Sequence, residues 1–359
     1  MMAAESPRLA VTGLAAVTPL GHDAAASCAA IRARLSGFSE HPIYAVRTRD
    51  PEWDEIEKVK AAIIPGLPLE LEGRDRLVEL SLWVLRDLVR STGVGRTELE
   101  RAALLLALPA LDEVTDRWAL AELEAELRER AGMGAFVATE LDHGGHPSAL
   151  RLLARAEKLC TEGQSERCVL VSVDSHYSPA RLALLDAQAR LRTVLSPDGF
   201  LPGEAAVAML LEPEAGCRRQ PLLRVGSVGF GSEPQPFASQ RASTARGLQL
   251  AVEAALDGCG APSAATEWAL CDLNGESYRS FEWGTLRGRL ASRFAPTLHL
   301  HHPADCIGDA GAATGGLLVA CTAQAFARGY APARQALLWT SGEDDARAAV
   351  CVEAPPSGS

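Results

Sequence analysis

The sequence has no run of Lys or Arg residues. Its 35 Lys and Arg are outnumbered by 46 Asp and Glu, which gives a formal net charge of -11 at pH 7. Non-specific binding to nucleic acid or to an anionic membrane needs a concentrated basic surface, and the chain offers none. We therefore expect no nucleic-acid partner, and we expect the partners to be proteins or small molecules.

Long apolar runs are also missing. No stretch approaches the ~18 consecutive apolar residues that a membrane-spanning helix needs. The N-terminal segment MMAAESPRLAVTG has no basic region followed by an apolar core of the kind found in signal peptides. We expect a cytoplasmic protein with no membrane segment.

Paired cysteine motifs are absent as well. The nine cysteines are scattered without any C-x-x-C pair, and most stand in apolar surroundings such as RCVLVSV and LLVACTA. Cysteines of this kind in an intracellular protein are typically reduced and buried. We expect free thiols, no metal and no cofactor.

What the chain does contain is short apolar runs that alternate with longer amphipathic segments. This alternation predicts an α/β fold whose central strands are buried on both faces. The predicted strands are residues 9–13, 102–108, 134–139, 168–173, 205–212, 222–229, 268–274, 297–302 and 336–341. The predicted helices are residues 75–91, 148–160, 245–259 and 310–329.

One seam and one repeated pattern organise these elements. The segment EPEAGCRRQP at 212–221 separates two apolar strands and predicts a division into residues 1–214 and 215–359. Each part contains a strand, a turn of small residues and a helix, as in HGGHPSALRLLARA and IGDAGAATGGLLVACTAQA. The likeness lies in pattern and not in letters, and it indicates a duplicated α/β architecture.

The first of these turns has the shape of a nucleophile turn. In DHGGHPSALRLLARA, residues 142–156, a glycine turn leads from an apolar run into a helix. Acyl-transfer enzymes use this arrangement to place a Cys or Ser where helix N–H groups stabilise an oxyanion. No Cys occurs between Ala29 and Leu159. The segment therefore has the predicted shape of a nucleophile turn but no cysteine thiol to act as the nucleophile.

Three segments resemble the β-ketoacyl synthases of the thiolase-like superfamily. LAVTGLAAVTPLGHD at 9–23 resembles the opening VTGxGxVxPLG strand, and SPDGFLPGEAAVAMLLEP at 196–213 resembles DGFxxGEGAxxLxLE. IGDAGAATGG at 307–316 resembles the GH turn near the family's C-terminus. The resemblance implies a thiolase-like fold, in which two related α/β halves form a five-layer α-β-α-β-α sandwich.

The chemistry of that family uses one Cys and two His in one pocket, and the resemblance assigns none of them here. The Cys position falls on His146 when the helix is aligned, or near Leu141 when the strand is counted. The first His corresponds to Asn274, and the second to Gly308 or Asp309. The loss of all three implies that the family's condensation is not available to this chain.

The closing glycine loop of the family is also replaced. After ALLWT the chain continues as SGEDDARAAVCVE, so that Glu343, Asp344 and Asp345 stand where the family has an apolar, glycine-rich gate. Carboxylates beside a developing oxyanion would raise the barrier. We expect the old pocket to be lined by His143, His146, Asn274, Asp309, Glu343 and Asp344.

Three local alternatives remain open beside this interpretation. His143 and His146 could form a general base or a metal pair, although His146 more simply packs at a helix start. The loop DSHYSP at 174–179 offers Asp, Ser and His in succession, but triad members normally come from separate elements, so we interpret it as structural. In HLHH, His299 and His301 share one face of a strand and could hold a metal, for which we favour an accidental origin.

Three kinds of function follow from the sequence. The first is a degenerate ketosynthase-like accessory protein, either similar to a chain-length factor or associated with a bacterial secretion or effector cluster. The second is an acyltransferase or hydrolase rebuilt around His146, and the third is a binder of an acyl or aromatic ligand. Family members dimerise beside the nucleophile turn, so the resemblance implies a homodimer or a heterodimer with a ketosynthase-like or effector protein through residues 134–139. If the chemistry is lost, we expect His146→Ala to change the free energy of unfolding by no more than about 1 kcal/mol.

Overall fold

A computed structural model describes residues 9–47, 56–115, 117–132, 136–259 and 265–356. The strands are β1 Leu9–Val17, β2 Phe38–Arg47, β3 Ile56–Ala62, β4 Ala102–Ala107, β5 Ala138–Asp142, β6 Arg167–Ser175, β7 Glu204–Pro213, β8 Leu223–Ser232, β9 Thr266–Cys271, β10 Phe294–His301, β11 Gln335–Ser341 and β12 Ala346–Glu353. The helices are α1 Ala24–Arg32, α2 Gly73–Thr92, α3 Arg96–Leu99, α4 Arg117–Ala131, α5 Ser148–Thr161, α6 Pro179–Ala187, α7 Arg246–Asp257, α8 Ser277–Arg289, α9 Ala304–Ile307 and α10 Ala313–Ala327.

The main sheet repeats one topology twice. Its ten strands lie in the order β10-β9-β11-β12-β8-β1-β7-β6-β4-β5, so each half contributes five neighbouring strands. In the first half β1, β7 and β6 are antiparallel neighbours, and β4 and β5 then continue parallel to β6. The second half repeats this pattern with β8, β12, β11, β9 and β10. The predicted duplication of an α/β unit is therefore present in the fold.

The helices divide this sheet into layers. Helices α5 and α10 pack against each other and against strands of both halves, so they form the central layer. Helix α2, with α4 beside it, covers the outer face of the first half, and α7, with α8 beside it, covers the outer face of the second half. The five-layer α-β-α-β-α arrangement implied by the resemblance is confirmed.

Small residues bring the central helices close to the sheet. A Cβ added at Gly316 would lie 2.1 Å from Oγ of Ser172, and one at Gly315 would lie 3.0 Å from Cβ of Ala149. Both distances are shorter than ordinary carbon contacts, so side chains at these positions would push α10 away from β6 and α5. Gly315 and Gly316 therefore serve helix packing.

Several features differ from the sequence prediction. The sequence did not indicate that the two halves share one sheet, which they do because Leu9–Val11 of β1 pairs with Leu223–Val225 of β8. The strand predicted at 134–139 begins later, at β5, and residues 133–135 lie outside the described residues. The hairpin of β2 and β3, strand β12 and helices α4 and α8 were not predicted. The seam at 212–221 does lie between β7 and β8, while the domain boundary at 214 stays a prediction.

The cysteines also differ from expectation at one place. Seven of the nine are free thiols, but Cys259 and Cys351 form a disulfide. The expectation of free thiols is therefore wrong for this pair. The end of α7 packs beside β12, which brings the two Cα atoms to 6.4 Å across a separation of 92 residues. No spacing motif in the sequence could signal a contact of this kind.

No helix in the described part of the chain is both long and apolar enough to span a membrane.

Candidate functional site

The nucleophile-like turn forms between β5 and α5. Gly145 adopts a positive φ of 64°, which glycine reaches without steric cost. The carboxylate of Asp142 accepts hydrogen bonds from the Gly144 N–H and the Ser148 hydroxyl, each at 2.9 Å. The Ser148 hydroxyl therefore stabilises the turn through its bond to Asp142. The turn directs the His146 side chain inward, and the residue is only 6% exposed.

The second turn, after α9, directs Asp309 toward the same point. Gly308 has a φ of 73°, and a Cβ there would lie 2.6 Å from the Leu201 carbonyl oxygen. The backbone of Asp309 then bonds to the segment before β7, donating to the Leu201 oxygen at 2.8 Å and accepting from Gly203 N at 2.9 Å. Two of the segments that carry the resemblance therefore hold each other in place. Of the two candidates for the second His position, Asp309 is the one that presents a side chain to the site.

Three of the predicted positions meet at the Asp309 carboxylate. His146 Nε2 lies 2.9 and 3.1 Å from its two oxygens, and Asn274 Nδ2 donates to Oδ2 at 2.6 Å. The backbone N–H of Gly311 donates to Oδ1 at 2.7 Å. His146 and Asn274, two of the positions singled out by the resemblance, thus both contact the third, Asp309.

An arginine from α8 closes the other side of the imidazole. Arg279 Nη2 lies 3.4 Å from His146 Nδ1, while Nη1 contacts the Asp272 carboxylate and donates to the Ser341 carbonyl oxygen at 2.7 Å. Because His146 Nε2–H faces a carboxylate and Nδ1 faces a guanidinium, neither nitrogen is placed to accept a proton from a substrate. This geometry disfavours His146 as a general base.

A second arginine extends the network to the acidic loop. Arg190 donates to both oxygens of Glu276, at 2.8 and 3.1 Å, and to Glu343 at 2.5 Å. Glu276 in turn accepts from Asn274 Nδ2 at 2.9 Å. Glu343 therefore joins the cluster as the partner of a buried cation. Asp344 does not join it, because its side chain is exposed and accepts from the Ala346 N–H at 3.0 Å.

Seven side chains on several elements form this network, which we name the His146–Asp309 cluster: His146, Asp272, Asn274, Glu276, Arg190, Arg279 and Asp309, with Glu343 at its rim. Four carboxylates face two guanidiniums and one imidazole. Burial lowers the pKa of His146 and Arg279 lowers it further, but the Asp309 and Asp272 carboxylates together raise it by more, so the pKa lies above its ordinary value. Burial raises the pKa of Asp309, yet His146 lowers it to well below the usual range. The pair is therefore favoured in its ionised form.

The pKa of Glu343 is lowered, as that of Asp309 is. Burial raises it, but the neighbouring Arg190 guanidinium lowers it by more, so the pKa is below its ordinary value. A carboxylate at this position is consequently neutralised by Arg190 and does not act as an isolated anion beside the cluster.

The other sequence candidates lie outside this cluster or at its edge. His143 is half-buried at the start of the turn. His176, in the loop after β6 that we had interpreted as structural, brings Nε2 to 3.5 Å from Asp309 Oδ1. His299 and His301 lie on β10, at the far edge of the second half. Within the described ranges no group of three or more His, Cys, Asp or Glu is arranged to hold a metal.

Sequence reasoning missed Arg190, Arg279 and Glu276. Each is buried, at 4–5% exposure. A buried Arg or Glu needs a partner of opposite charge, but nothing in a single sequence shows which ones are buried. One signal was available, because Glu276 and Arg279 are three residues apart and close to Asn274, the position assigned to the first His.

No family model and no curated protein matches this sequence. Solved structures do match over nearly the whole chain. The oxazolomycin ketosynthase domain of Streptomyces albus JA3453 aligns with a TM-score of 0.78 and 16% identity over 98% of this chain and 75% of that one. The ishigamide ketosynthase/chain length factor aligns with a TM-score of 0.68 and 19% identity, covering 97% of this chain and 99% of that one.

A third structure, of a type II polyketide synthase acyl-carrier protein in complex with its ketosynthase, aligns with a TM-score of 0.76 and 11% identity over 98% of this chain and all of that one. The chain therefore has the ketosynthase variant of the thiolase-like fold. The resemblance drawn from the three sequence segments is confirmed at the level of the fold.

The charges in the His146–Asp309 cluster predict how the stability of the protein depends on pH. Because the folded-state pKa of His146 is raised, its contribution to stability is present below pH 6.5 and is lost as the pH rises through the folded-state value. In Asp309→Asn the carboxylate is gone, while burial and Arg279 still lower the pKa. The contribution of His146 to the pH dependence of stability should then change sign. The stability of Asp309→Asn should increase as the pH rises toward 6.5.

Urea unfolding of both proteins between about pH 5 and about pH 9 tests this sign change. The comparison is made in a His176→Ala background, because His176 also lies near Asp309, and the remaining histidines are common to both proteins and cancel in the difference. Parallel pH profiles for the wild type and Asp309→Asn would contradict the assigned ion pair.

Proposed function

We propose that this chain is a catalytically inactive ketosynthase-like protein that acts as a structural or accessory partner of another protein. The observation that carries the proposal is the His146–Asp309 cluster. Condensation by the resembled family starts with attack of a Cys thiolate on an acyl thioester. The alignment of the helices gives the Cys position to His146, whose two ring nitrogens face Asp309 and Arg279.

The electrostatics of the cluster support the same conclusion. Decarboxylative condensation develops negative charge on an enolate oxygen, which needs hydrogen-bond donors that are not already occupied. Asn274 Nδ2 donates to Asp309 and to Glu276, so its amide is engaged. A carboxylate at position 309 repels the developing anion. Restoring one residue would therefore not restore the reaction, since the surrounding charges would still oppose it.

The proposed partner is a second ketosynthase-like chain. Strand β5 is the last strand of the sheet on the first half, and Val137 beside it is 51% exposed. An edge strand with an exposed aliphatic neighbour is suited to pairing with the same edge of another chain. A chain-length-factor-like role would place this protein in a heterodimer with a Cys-containing ketosynthase. Association with a secretion or effector cluster would use the same edge for an adaptor.

A matched pair of variants tests the interface. Val137→Glu places a charge beside β5, whereas Leu250→Glu changes a comparably exposed aliphatic residue, at 41%, on the outer helix α7. We expect Val137→Glu to weaken dimerisation at least about tenfold, since an unpaired charge at an interface is strongly unfavourable. Leu250→Glu should leave it unchanged. The measurement is the dissociation constant of the dimer by analytical ultracentrifugation. Equal effects of the two variants would refute the β5 interface.

One observation favours a second candidate function, the binding of an acyl or aromatic ligand. A largely apolar cavity of about 900 Å³ lies against Arg190 and Glu343 and includes Phe237, Tyr278 and Phe281 in its walls. The lining includes Arg190 and Glu343 but neither Asn274 nor Asp309. A ligand would therefore bind at the rim of the cluster and not at the Asp309 carboxylate. A rise in melting temperature with octanoyl-CoA, absent in Phe281→Glu, tests this function.

A further inference from the structure

A second region of the molecule has the features of a ligand site and shares no residue with the His146–Asp309 cluster. A cavity of about 550 Å³ opens between α1, β10 and α10. A second cavity of about 450 Å³ adjoins it, and the two have Arg32 and Tyr330 in common. The Arg32 guanidinium carbon lies 4.0 Å from the centre of the Tyr330 ring and forms the wall between them. We name the larger one the α1–β10 cavity.

The walls of these two cavities are cationic. Their lining includes the cationic or titratable side chains Arg32, Arg34, Arg328, His301 and His302. Asp305 is the one carboxylate in the lining, and it faces His302 with Nδ1 and Oδ1 3.0 Å apart. Within the described residues, neither Arg32 nor Arg34 forms an ion pair with a carboxylate. This concentration of cationic side chains contrasts with the net charge of -11 on the whole chain.

The floor of the α1–β10 cavity is apolar apart from one buried donor. Trp268 is 2% exposed, packs edge-on against Phe326 with ring centres 5.6 Å apart, and belongs to the cavity lining. Its indole Nε1–H has no hydrogen-bond partner among the described residues. A buried donor without an acceptor is unfavourable, and such a group is expected where an acceptor from outside the chain completes the site.

The titration of His301 agrees with a positive local potential. Burial lowers the pKa of His301, and the neighbouring His299, Arg34 and His302 lower it further. Adding a proton there brings a further positive charge close to existing ones. An anion in the cavity would relieve this repulsion.

We infer that the α1–β10 cavity binds a small organic anion, with a carboxylate or phosphate group at Arg32 and Arg34 and an apolar body against Trp268. Guanidinium groups suit both anions because their N–H groups match two oxygens at once. The volume of about 550 Å³ is within the range of small-molecule sites. This inference does not depend on the proposed function, since β10 and β5 are at opposite ends of the sheet and the cavity lining includes no residue of the cluster.

Calorimetric titration with three related probes tests the inference. The probes are 2-naphthyl phosphate, 2-naphthoate and the neutral 2-naphthamide. We expect at least one anion to bind, and the amide to bind at least about tenfold more weakly, because charge-assisted hydrogen bonds are roughly twice as strong as neutral ones. The comparison of phosphate with carboxylate identifies the preferred head group.

Two variants and a control locate the binding. Arg32→Gln combined with Arg34→Gln should weaken binding of the anion about tenfold and leave the amide unchanged, whereas Arg246→Gln, an exposed arginine on α7, should have no effect. Trp268→Phe keeps an aromatic ring but removes the indole N–H. It should weaken binding of the anion more than binding of the amide. Equal affinity for amide and anion, no heat with either anion, or an equal loss in Arg246→Gln would overturn the inference.

Discussion

Asp309→Ala is expected to lower the free energy of unfolding by about 3–5 kcal/mol, the range typical of removing one partner from a buried ion pair. Asp309 is 3% exposed and accepts hydrogen bonds from His146, Asn274 and the Gly311 N–H. Its removal leaves the buried His146 Nε2–H and the Gly311 N–H without this acceptor, while Asn274 keeps its bond to Glu276. It also removes the negative charge that offsets His146 and the nearby Arg279.

Urea denaturation followed by circular dichroism measures this loss. The matched control is Asp344→Ala, which removes an acidic residue that is close in sequence to Glu343 but exposed, and which should stay within about 0.5 kcal/mol of the wild type. Similar small effects of the two substitutions would mean that Asp309 is not ionised in the folded protein.

His146→Ala has the second largest expected effect, about 1.5–3 kcal/mol, the value for a buried hydrogen bond to a charged group. The sequence alone led to an expected loss of no more than about 1 kcal/mol, on the assumption that a residue without chemistry is dispensable. The structure revises this, because His146 is buried and its Nε2 contacts both oxygens of the buried Asp309 carboxylate. The loss should be smaller than for Asp309→Ala, since Asp309 keeps the donors from Asn274 and Gly311.

A double-mutant cycle measures the interaction energy between His146 and Asp309 apart from their interactions with other residues. The combined His146→Ala and Asp309→Ala protein should be more stable than the sum of the single losses predicts, because the second change removes a partner that is already unpaired. Strict additivity would contradict a direct interaction between the two side chains.

The sequence predicted the fold well because its strongest signals are backbone requirements. The segments around 9–23, 196–213 and 307–316 include positions where only glycine fits, such as Gly203, whose added Cβ would lie 2.0 Å from the Ile307 carbonyl oxygen. Such positions persist when the chemistry changes, since they hold the turns of the sheet. They also explain why a fold-level match exists at 11–19% identity.

The site was harder to predict because its partners come from distant parts of the chain. His146, Asn274 and Asp309 were identified by their place in motifs, and the structure brings all three together. Arg279 and Arg190 belong to no motif, and their role depends on burial that only the packed structure shows. The Cys259–Cys351 disulfide was missed for the same reason. Strand β12, with the buried residues Ala348 to Val352, was missed because its apolar run follows the acidic loop directly.

These observations connect the sequence to the proposed role. His146, Asn274 and Asp309 belong to a hydrogen-bonded, charge-compensated set, on a fold that has tight glycine turns and two central helices. Under the proposed function, this cluster fills the place where the chemistry of the resembled family would occur. A protein of this kind can present the surfaces of a ketosynthase without the reaction.

A condensation assay tests this account most directly. The purified protein is incubated with an octanoyl thioester and a malonyl thioester, and the β-ketoacyl product is measured by mass spectrometry against a sample without protein. We predict no product above the protein-free rate for the wild type, for His146→Ala and for His146→Cys. Product formation by the wild type that disappears in His146→Ala would show that the cluster is a working active site and would contradict the account.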